Sequence, residues 1–359
     1  MDAARLLSSL VVFIAQFTLI ATAGSGQGTL RQDEKSLQWE KLLKEYPPSS
    51  VSEELALKFL FPAEELREKD IYLWSSRRIA CDSEGNIFVL DGKWKSIFKF
   101  DPKGAFLKRT GRNGQGPGEF QNPYCFCVSK NMILVSDTAK RDIQVFDLGL
   151  NFVKSLKVTR AYTELAVRDD GLMVGIPFRM AKEMPLVDVL SKDGEVLYSF
   201  GKPMFGDDQN WQTPNFVKMD VNVKGEVFLA FWHFPTVCKY SPEGELRAVY
   251  KIHHKGMNRA EQLNLEAMKG PNNRIAWQAI DSIRAKDNGF YLLHNYPYTE
   301  VLEFDDDGKM INDFWAARSY DYHVGDFLVK ETDGLEVFLL ELVPDNSVNV
   351  FQPIKRAGY

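Results

Sequence analysis

One pattern recurs along this chain: an apolar stretch, a turn carrying glycine, a second apolar stretch, a polar loop and an alternating strand. Its clearest copy is RRIACDSEGNIFVLDGKWKSIFKFDPKGAFLKRTG, from Arg77 to Gly111. Further copies run from Tyr124 to Val158, Thr163 to Gly201, Phe216 to Ile252, Asp281 to Ala316 and His323 to Lys355. Within each copy apolar and polar residues alternate at period two, as half-buried strands do. The turns fall at SEGN, DPKG, RDDG, SKDG, VKGE, SPEG, KDNG, DDDG and TDG, the chemistry that hairpins require. A unit of this kind cannot bury its apolar faces alone, so the copies must pack on one another. Strands at regular spacing with such turns predict an all-β closed array, a six-bladed β-propeller. A solenoid of stacked coils would need shorter repeats of more constant length, with distinct end caps.

The sixth copy supplies only three strands, at Asp326 to Lys330, Leu335 to Leu342 and Ser347 to Ile354. A fourth must come from elsewhere. In the segment Leu55 to Phe61, the alternation sets Leu55, Leu57, Phe59 and Phe61 on one face, as an outer strand closing the last blade requires. Both ends of the chain then fasten the ring, leaving no open sheet edge. The propeller is accordingly expected over residues 55–359, preceded by an extension over 24–54 with a helix from Leu30 to Glu45 ended by Pro47-Pro48. The insertion from His253 to Ala279, with RAEQLNLEAMKG, is expected to hold another short helix.

Before all this, Arg5 is followed by an apolar run from Leu6 to Ile20 and the triplet Ala21-Thr22-Ala23. That is the layout of a secretory signal over residues 1–23 with an A-x-A exit, so a secreted or periplasmic mature chain without a transmembrane segment is expected. The run is shorter than the roughly 20 residues that a bilayer span needs. A net charge of -5 gives no electrostatic reason to expect nucleic acid as partner. The four cysteines, Cys81, Cys125, Cys127 and Cys238, include no C-x-x-C pair, so neither a structural zinc site nor a thioredoxin-like motif is supported. Buried free thiols are expected, with a Cys81 to Cys127 bridge as the alternative.

The stretch GRNGQGPGEFQNP, from Gly111 to Pro123, follows DSEGNIFVLD and SIFKFDPKGAFLKRTG. With them it resembles the bacterial 6-bladed β-propeller family related to NHL-repeat and TolB-like propellers. The resemblance is specific over the first two copies; the others match only in pattern. It implies the fold and an exported address, and little chemistry. Function has to be argued from a site.

Aligning the copies on their first turn makes one parity of each inner strand apolar, as at Ile79, Cys81, Cys125 and Cys127. The other parity carries Arg78, Glu164, Lys218, Asp220 and Arg284, together with Tyr124, Phe126, Ala166 and Phe327. Those charges are expected to ring a central channel, either pairing across it or forming a polar ligand pocket. One rim is expected to present Trp94, Lys95, Arg141, Phe178, Arg179, Trp232, His233, Phe234, His294, Tyr296 and Tyr298, with Arg112, Glu119, Phe120 and Trp211 between copies. Aromatic rings with polar tips interleaved with arginines suit peptide, protein or glycan recognition by a monomeric binding module.

The alternative is a hydrolase or lyase at the channel mouth. Resemblance to peptidylglycine amidating lyase implies histidine-bound zinc, for which His233 and His294 fall at nearly matching places, with His323, His253 or His254 as a third ligand. Resemblance to gluconolactonase-like propellers implies calcium, with Glu164, Asp220 and Asn295 as candidates, but Arg78, Lys218 and Arg284 would oppose a divalent ion there. No ligand spacing identifies a metal site, so neither a metal nor another cofactor is expected. Catalytic residues are unassigned, because no G-x-S-x-G elbow or Ser-His-Asp trio occurs.

Overall fold

The computed structural model describes residues 52–354 apart from 179–183, 205–211, 270–274, 276, 297, 317–322, 332–333 and 344–345. The signal segment, the helix expected at Leu30 to Glu45, Arg179 and Trp211 lie outside the described residues. Strand β1 (Glu53–Phe61) precedes the first copy. That copy folds as β2 (Ser76–Cys81), β3 (Ile87–Asp91), β4 (Ser96–Phe100) and β5 (Phe106–Thr110). The second forms β6 (Pro123–Val128), β7 (Met132–Asp137), β8 (Asp142–Asp147) and β9 (Phe152–Lys157). The third forms β10 (Tyr162–Val167), β11 (Met173–Pro177), β12 (Val187–Leu190) and β13 (Val196–Phe200). The fourth forms β14 (Val217–Val221), β15 (Val227–Phe231), β16 (Thr236–Tyr240) and β17 (Leu246–Lys251). Each of these copies is a four-stranded antiparallel meander.

The rest of the chain supplies β18 (Ser282–Lys286), β19 (Gly289–His294), β20 (Thr299–Asp305), β21 (Met310–Ala316), β22 (His323–Lys330), β23 (Glu336–Val343) and β24 (Val348–Ile354). With β1 they form one eight-stranded sheet, ordered β18-β19-β20-β21-β1-β24-β23-β22. Hydrogen bonding thus delineates four small sheets and one large one, where the repeat predicted six equal units. The large sheet arises at β1, which pairs antiparallel with β24 along its length. At Glu53 and Glu54 it also pairs parallel with Phe314 and Trp315 of β21. The arrangement is an all-β propeller, in which β2, β6, β10, β14, β18 and β22 adjoin in a closed cycle.

The sheets stand radially, so each buries both of its faces. In β3, Ile87 and Val89 pack with Leu328, Phe338 and Val350 of the large sheet, whereas Phe88 and Leu90 pack with Phe126, Ile133 and Val135 of the second sheet. This explains why IFVL reads as an unbroken apolar run rather than an alternating one. It also corrects the expected division of the inner strands into a packing face and a channel face. Phe126, Ala166 and Phe327 sit in apolar clusters between sheets, because a radial strand has a neighbour on either side.

Strand β1 departs from simple alternation as well. A bulge between Leu57 and Phe59 leaves Lys58 without an opposite residue on β24 and reverses which way the following side chains point. Leu55 therefore packs with Leu293, Val301 and Phe314, while Phe59 and Phe61 pack toward Phe98 and Phe100 of the first sheet. Leu57 is left 55% exposed. One strand thus packs on both the β19–β21 part of the large sheet and the first sheet. Gly104, at φ +83°, closes the hairpin beneath it, where a Cβ would lie 2.7 Å from the Phe61 ring.

The insertion contributes helix α1 (Lys255–Lys269). It buries Met257 and Ala260 against Ile280, Ile283 and Phe290. Its Asn264 side chain donates to the carbonyls of His233 at 2.8 Å and Trp277 at 2.7 Å, holding the helix against the loop after β15. All four cysteines are free, so the alternative Cys81–Cys127 bridge is not formed. Burial pushes the Cys127 thiol up to about 12 and that of Cys238 to about 11.

Two outcomes test this packing. Phe61→Ala, at a position only 1% exposed, is expected to cost about 3–5 kcal/mol in urea unfolding. Leu57→Ala should stay within about 0.5 kcal/mol of the parent. In the native protein all four thiols should react slowly with a disulfide reagent at neutral pH, and promptly in denaturant, because the thiolate is the nucleophile.

Candidate functional site

The hairpin topology brings the start of each inner strand beside the end of the second strand of the same copy. Backbone bonds from Gly92 to Ser75, Thr138 to Asn122, Phe178 to Ala161, Trp232 to Phe216 and Asp281 to Leu293 mark this junction in five copies. The loops on this side form one rim, with the axis of the inner strands below it.

The axis is occupied by charge. The Arg78 guanidinium is ion-paired with Glu164 and lies 3.5 Å from Asp326. Glu164 accepts from Lys218 at 3.2 Å, and the ammonium of Lys218 also stands 5.4 Å from the centre of the Trp232 ring. Arg284 donates to Asp326 at 2.7 Å and to the carbonyls of Ile283 and Ile79 at 2.9 and 3.2 Å. Asp326 also accepts from Ser282 Oγ at 2.6 Å and the Ile79 amide at 3.1 Å. Burial opposes its charge, but Arg284 and Arg78 outweigh burial and hold its carboxyl down at about 2. Asp220 is different: burial raises it, Arg284 only partly offsets this, and its carboxylate accepts from the Ala285 amide at 2.8 Å. The structure thus brings together Arg78, Glu164 and Lys218, and joins Arg284 to them through Asp326, which sequence reasoning missed. These charges satisfy one another.

The rim above the first two copies is different. Asp91 and Asp137, each ending the second strand of its copy, bind the backbone of the adjoining loops. Asp91 accepts from the amides of Trp74, Ser75, Lys93 and Trp94 at 2.7–2.9 Å. Asp137 accepts from those of Gln121, Asn122, Ala139 and Lys140 at 2.6–3.2 Å. Lys95, at φ 54°, and Arg141, at φ 52°, occupy matching left-handed positions. With Asp91 so engaged, the Arg77 guanidinium finds no carboxylate within ion-pairing distance among the described residues. Its Nε is buried without a hydrogen-bond partner, and the group lies 5.0 Å from the centre of the Tyr124 ring. Gly92 makes room for it, since a Cβ there would lie 2.2 Å from Nε. Burial lowers the Arg77 pKa, and burial together with Arg77 lowers that of Lys95. Asp91 and Asp137 offset these shifts only in part, and neither forms an ion pair with Arg77 or Lys95 among the described residues.

Aromatic rings surround the two cations. Trp94 meets Tyr72 and Trp74 edge-on, at 5.1 and 5.9 Å. Arg109 covers Trp94 at 5.0 Å and Lys93 covers Trp74 at 4.9 Å. Tyr124 meets Phe178 at 5.9 Å, and Trp74 and Phe178 remain 39% and 40% exposed. Arg77, Tyr72 and Trp74 are the residues of this patch that sequence reasoning missed. Their signal was YLW just ahead of the first inner strand and the basic pair RR at its start.

Across the rim, Trp232 stacks on His233 at 5.5 Å and Tyr296 meets Trp277 at 6.0 Å. His233 donates from Nδ1 to the Trp277 carbonyl at 3.0 Å. Phe120 and Phe234, expected on the rim, are fully buried. Asn295 donates to the Val324 carbonyl at 2.8 Å and accepts from Thr299, so it is a loop brace rather than a partner of Glu164. The expected pairing of His233 with His294 is not formed: His294 lies beside His254 and Glu300 instead.

The model of the family described as a domain of unknown function, DUF4934, matches residues 83–276. No curated protein matches. Among solved structures, the chain is similar to a DUF4221-family member from Bacteroides vulgatus at 14% identity and TM-score 0.60, over 85% of this chain and 99% of that one. It is also similar to a Bacteroides fragilis protein named for presumed export, at 13% identity and TM-score 0.57, over the same shares of 85% and 99%. A streptogramin B lyase matches at 12% identity and TM-score 0.48, over 77% of this chain and 78% of that one. That is too distant to bear on chemistry. The first two likenesses extend to the fold alone.

The axial network predicts a specific acid response. Because the carboxyl of Asp326 is held near 2 in the folded chain, its contribution is present above the unfolded value of roughly 4 and is lost as pH falls toward about 2. Asp326→Asn should lower stability at neutral pH by about 3–5 kcal/mol, since it leaves buried arginine charge uncompensated. It should also flatten the stability profile between about pH 4 and 2. Denaturant unfolding of both proteins across that range measures it.

Proposed function

The chain belongs to the DUF4934 family, and from that premise we propose that it is an exported, six-bladed β-propeller that binds an anionic ligand on its rim. Six blades follow if the eight-stranded sheet is counted as two, β18 to β21 and β22 to β24 with β1. The closed cycle of six inner strands supports that count, as do the six apolar clusters, one between each pair of neighbours. Export rests on the apolar run and small-residue triplet at the start of the sequence and on the name of the Bacteroides fragilis relative. Among the described residues no helix is long and apolar enough to cross a membrane.

The observation that carries the binding reading is the unpaired cationic pair Arg77 and Lys95, set among Tyr72, Trp74, Trp94, Tyr124 and Phe178. Guanidinium and ammonium groups without counter-ions recognise carboxylate, sulfate or phosphate. Exposed indole and phenyl faces beside them suit the flat apolar side of a sugar or an aromatic residue. The ligand class is therefore an acidic saccharide or an acidic peptide bearing such a face. Placing that ligand in the axis, by contrast, has little support, because Arg78, Lys218 and Arg284 are each already ion-paired with Glu164 or Asp326. A hydrolase or lyase at the channel mouth gains nothing from that network.

An array of acidic and neutral glycans and peptides, read against Arg77→Ala, Trp74→Ala and Trp232→Ala, tests this. The parent should retain acidic probes in a salt-sensitive manner. Arg77→Ala should weaken them about ten-fold or more, as loss of a charge-assisted bond does. Trp74→Ala should weaken them less, and Trp232→Ala should leave them unchanged. Equal binding by the parent and Arg77→Ala would remove the proposal.

A further inference from the structure

We propose that His254, His294 and Glu300 form a binding site for a divalent transition-metal cation such as zinc, joining the start of helix α1 to the β19–β20 hairpin. Three separate parts of the chain converge there. Register sets His294, the last residue of β19, directly opposite Glu300 of β20, so their side chains lie on one face. His254 precedes α1 and brings its ring to 5.5 Å from that of His294, at an interplanar angle of 78°. One ligating atom from each residue lies within 4.8 Å of the other two.

The donor set and its spacing fit such an ion. Two imidazoles with one carboxylate is a ligand set of catalytic zinc sites, at about 2.0–2.2 Å per bond, with a fourth position left to water or another ligand. Tetrahedral angles at those lengths put neighbouring donors roughly 3.3–3.5 Å apart. His254 Nε2 and Glu300 Oε2 are 3.5 Å apart, which is long for a charge-assisted hydrogen bond but right for two ligands of one ion. The remaining donor lies within 4.8 Å of both.

The hydrogen-bond inventory points the same way. His294 is fully buried, and neither ring nitrogen makes a hydrogen bond of normal geometry, although the Ala279 and Tyr296 backbones lie close enough to favour its charged form. Glu300 is 3% exposed and its Oε2 meets the His254 ring only at the long distance of 3.5 Å, while His254 Nδ1 has no hydrogen bond among the described residues. Buried imidazole and carboxylate groups are costly unless something engages them. Asp313, on the adjoining strand β21, keeps its Oδ1 without a partner while Oδ2 is held by Ser52. It adds negative charge behind the site. Gly256 is required there: a Cβ would lie 2.4 Å from His294 Nε2 and 2.2 Å from the Tyr296 carbonyl. Nitrogen donors disfavour magnesium and calcium, which take oxygen ligands.

The test uses the full chain, stripped with a chelator and titrated with Zn²⁺ by calorimetry, with Mg²⁺ and Ca²⁺ as controls. One Zn²⁺ should bind per chain and raise the Tm, whereas Mg²⁺ and Ca²⁺ should do neither. His254→Ala, at the most accessible of the three positions, and Glu300→Gln should each weaken Zn²⁺ at least about ten-fold. Both variants should keep the metal-free Tm close enough to the parent to show that they fold. His233→Ala should bind as the parent does. Substitution with Co²⁺ should give the visible absorption of a tetrahedral nitrogen and oxygen site, lost in His254→Ala. No saturable Zn²⁺ binding by the parent, or binding undiminished in both His254→Ala and Glu300→Gln, would overturn the proposal.

Discussion

Everything in this molecule depends on the pairing of β1 with β24. A radial sheet is apolar on both faces, and each face has to meet a neighbouring sheet. In a ring the first sheet must cover the last strands of the chain, and β22 to β24 have no fourth strand following them among the described residues. The chain answers by placing the missing strand before the first repeat and hydrogen-bonding it along β24. The bulge at Lys58 lets that strand serve two clusters, Leu55 in one and Phe59 with Phe61 in the other. A single-parity strand would have covered one neighbour and left the other open to water.

Closure also explains the axis. Six inner strands converging on a line leave little volume, and the side chains that enter it come from copies distant in sequence. Arg78 reaches Glu164 and Asp326, and Arg284 reaches Asp326. Such pairs add little net stability when buried, but each becomes costly if one member is lost. Their effect is to tie inner strands that are adjacent or two apart in the cycle. Charges consumed in this way are poor candidates for ligand recognition. The rim offers the contrast, because Asp91 and Asp137 are spent on loop amides and Arg77 and Lys95 form no ion pair among the described residues.

The two candidate sites stand on different physical grounds. At the anionic-ligand site, cations and aromatic faces are partly open to solvent beside β2 and β6. At the proposed metal site, buried donors lie between α1 and the β19–β20 hairpin. The insertion that carries α1 is therefore more than decoration, since its Asn264 and His254 both bind it to the rim of the neighbouring copies.

The sequence by itself determined the repeat, the all-β class, the turns and the need for a strand ahead of Arg77, because local alternation and turn chemistry are properties of adjacent residues. It also held the charged inner-strand positions that meet at the axis. Only the tertiary structure decided which faces those strands turn to one another. The alternation put Phe126, Ala166 and Phe327 on the channel side, and radial packing buried them between sheets. Asp326 was legible as a strand residue, but register shifts on either side of Val324 and the convergence of β2, β18 and β22 made it the hub. His294 and Glu300 lie opposite each other through the register of one hairpin, a local relation, whereas His254 joins them only after α1 packs down. Pairing of residues far apart in sequence depends on backbone register and closure, and no local pattern encodes either.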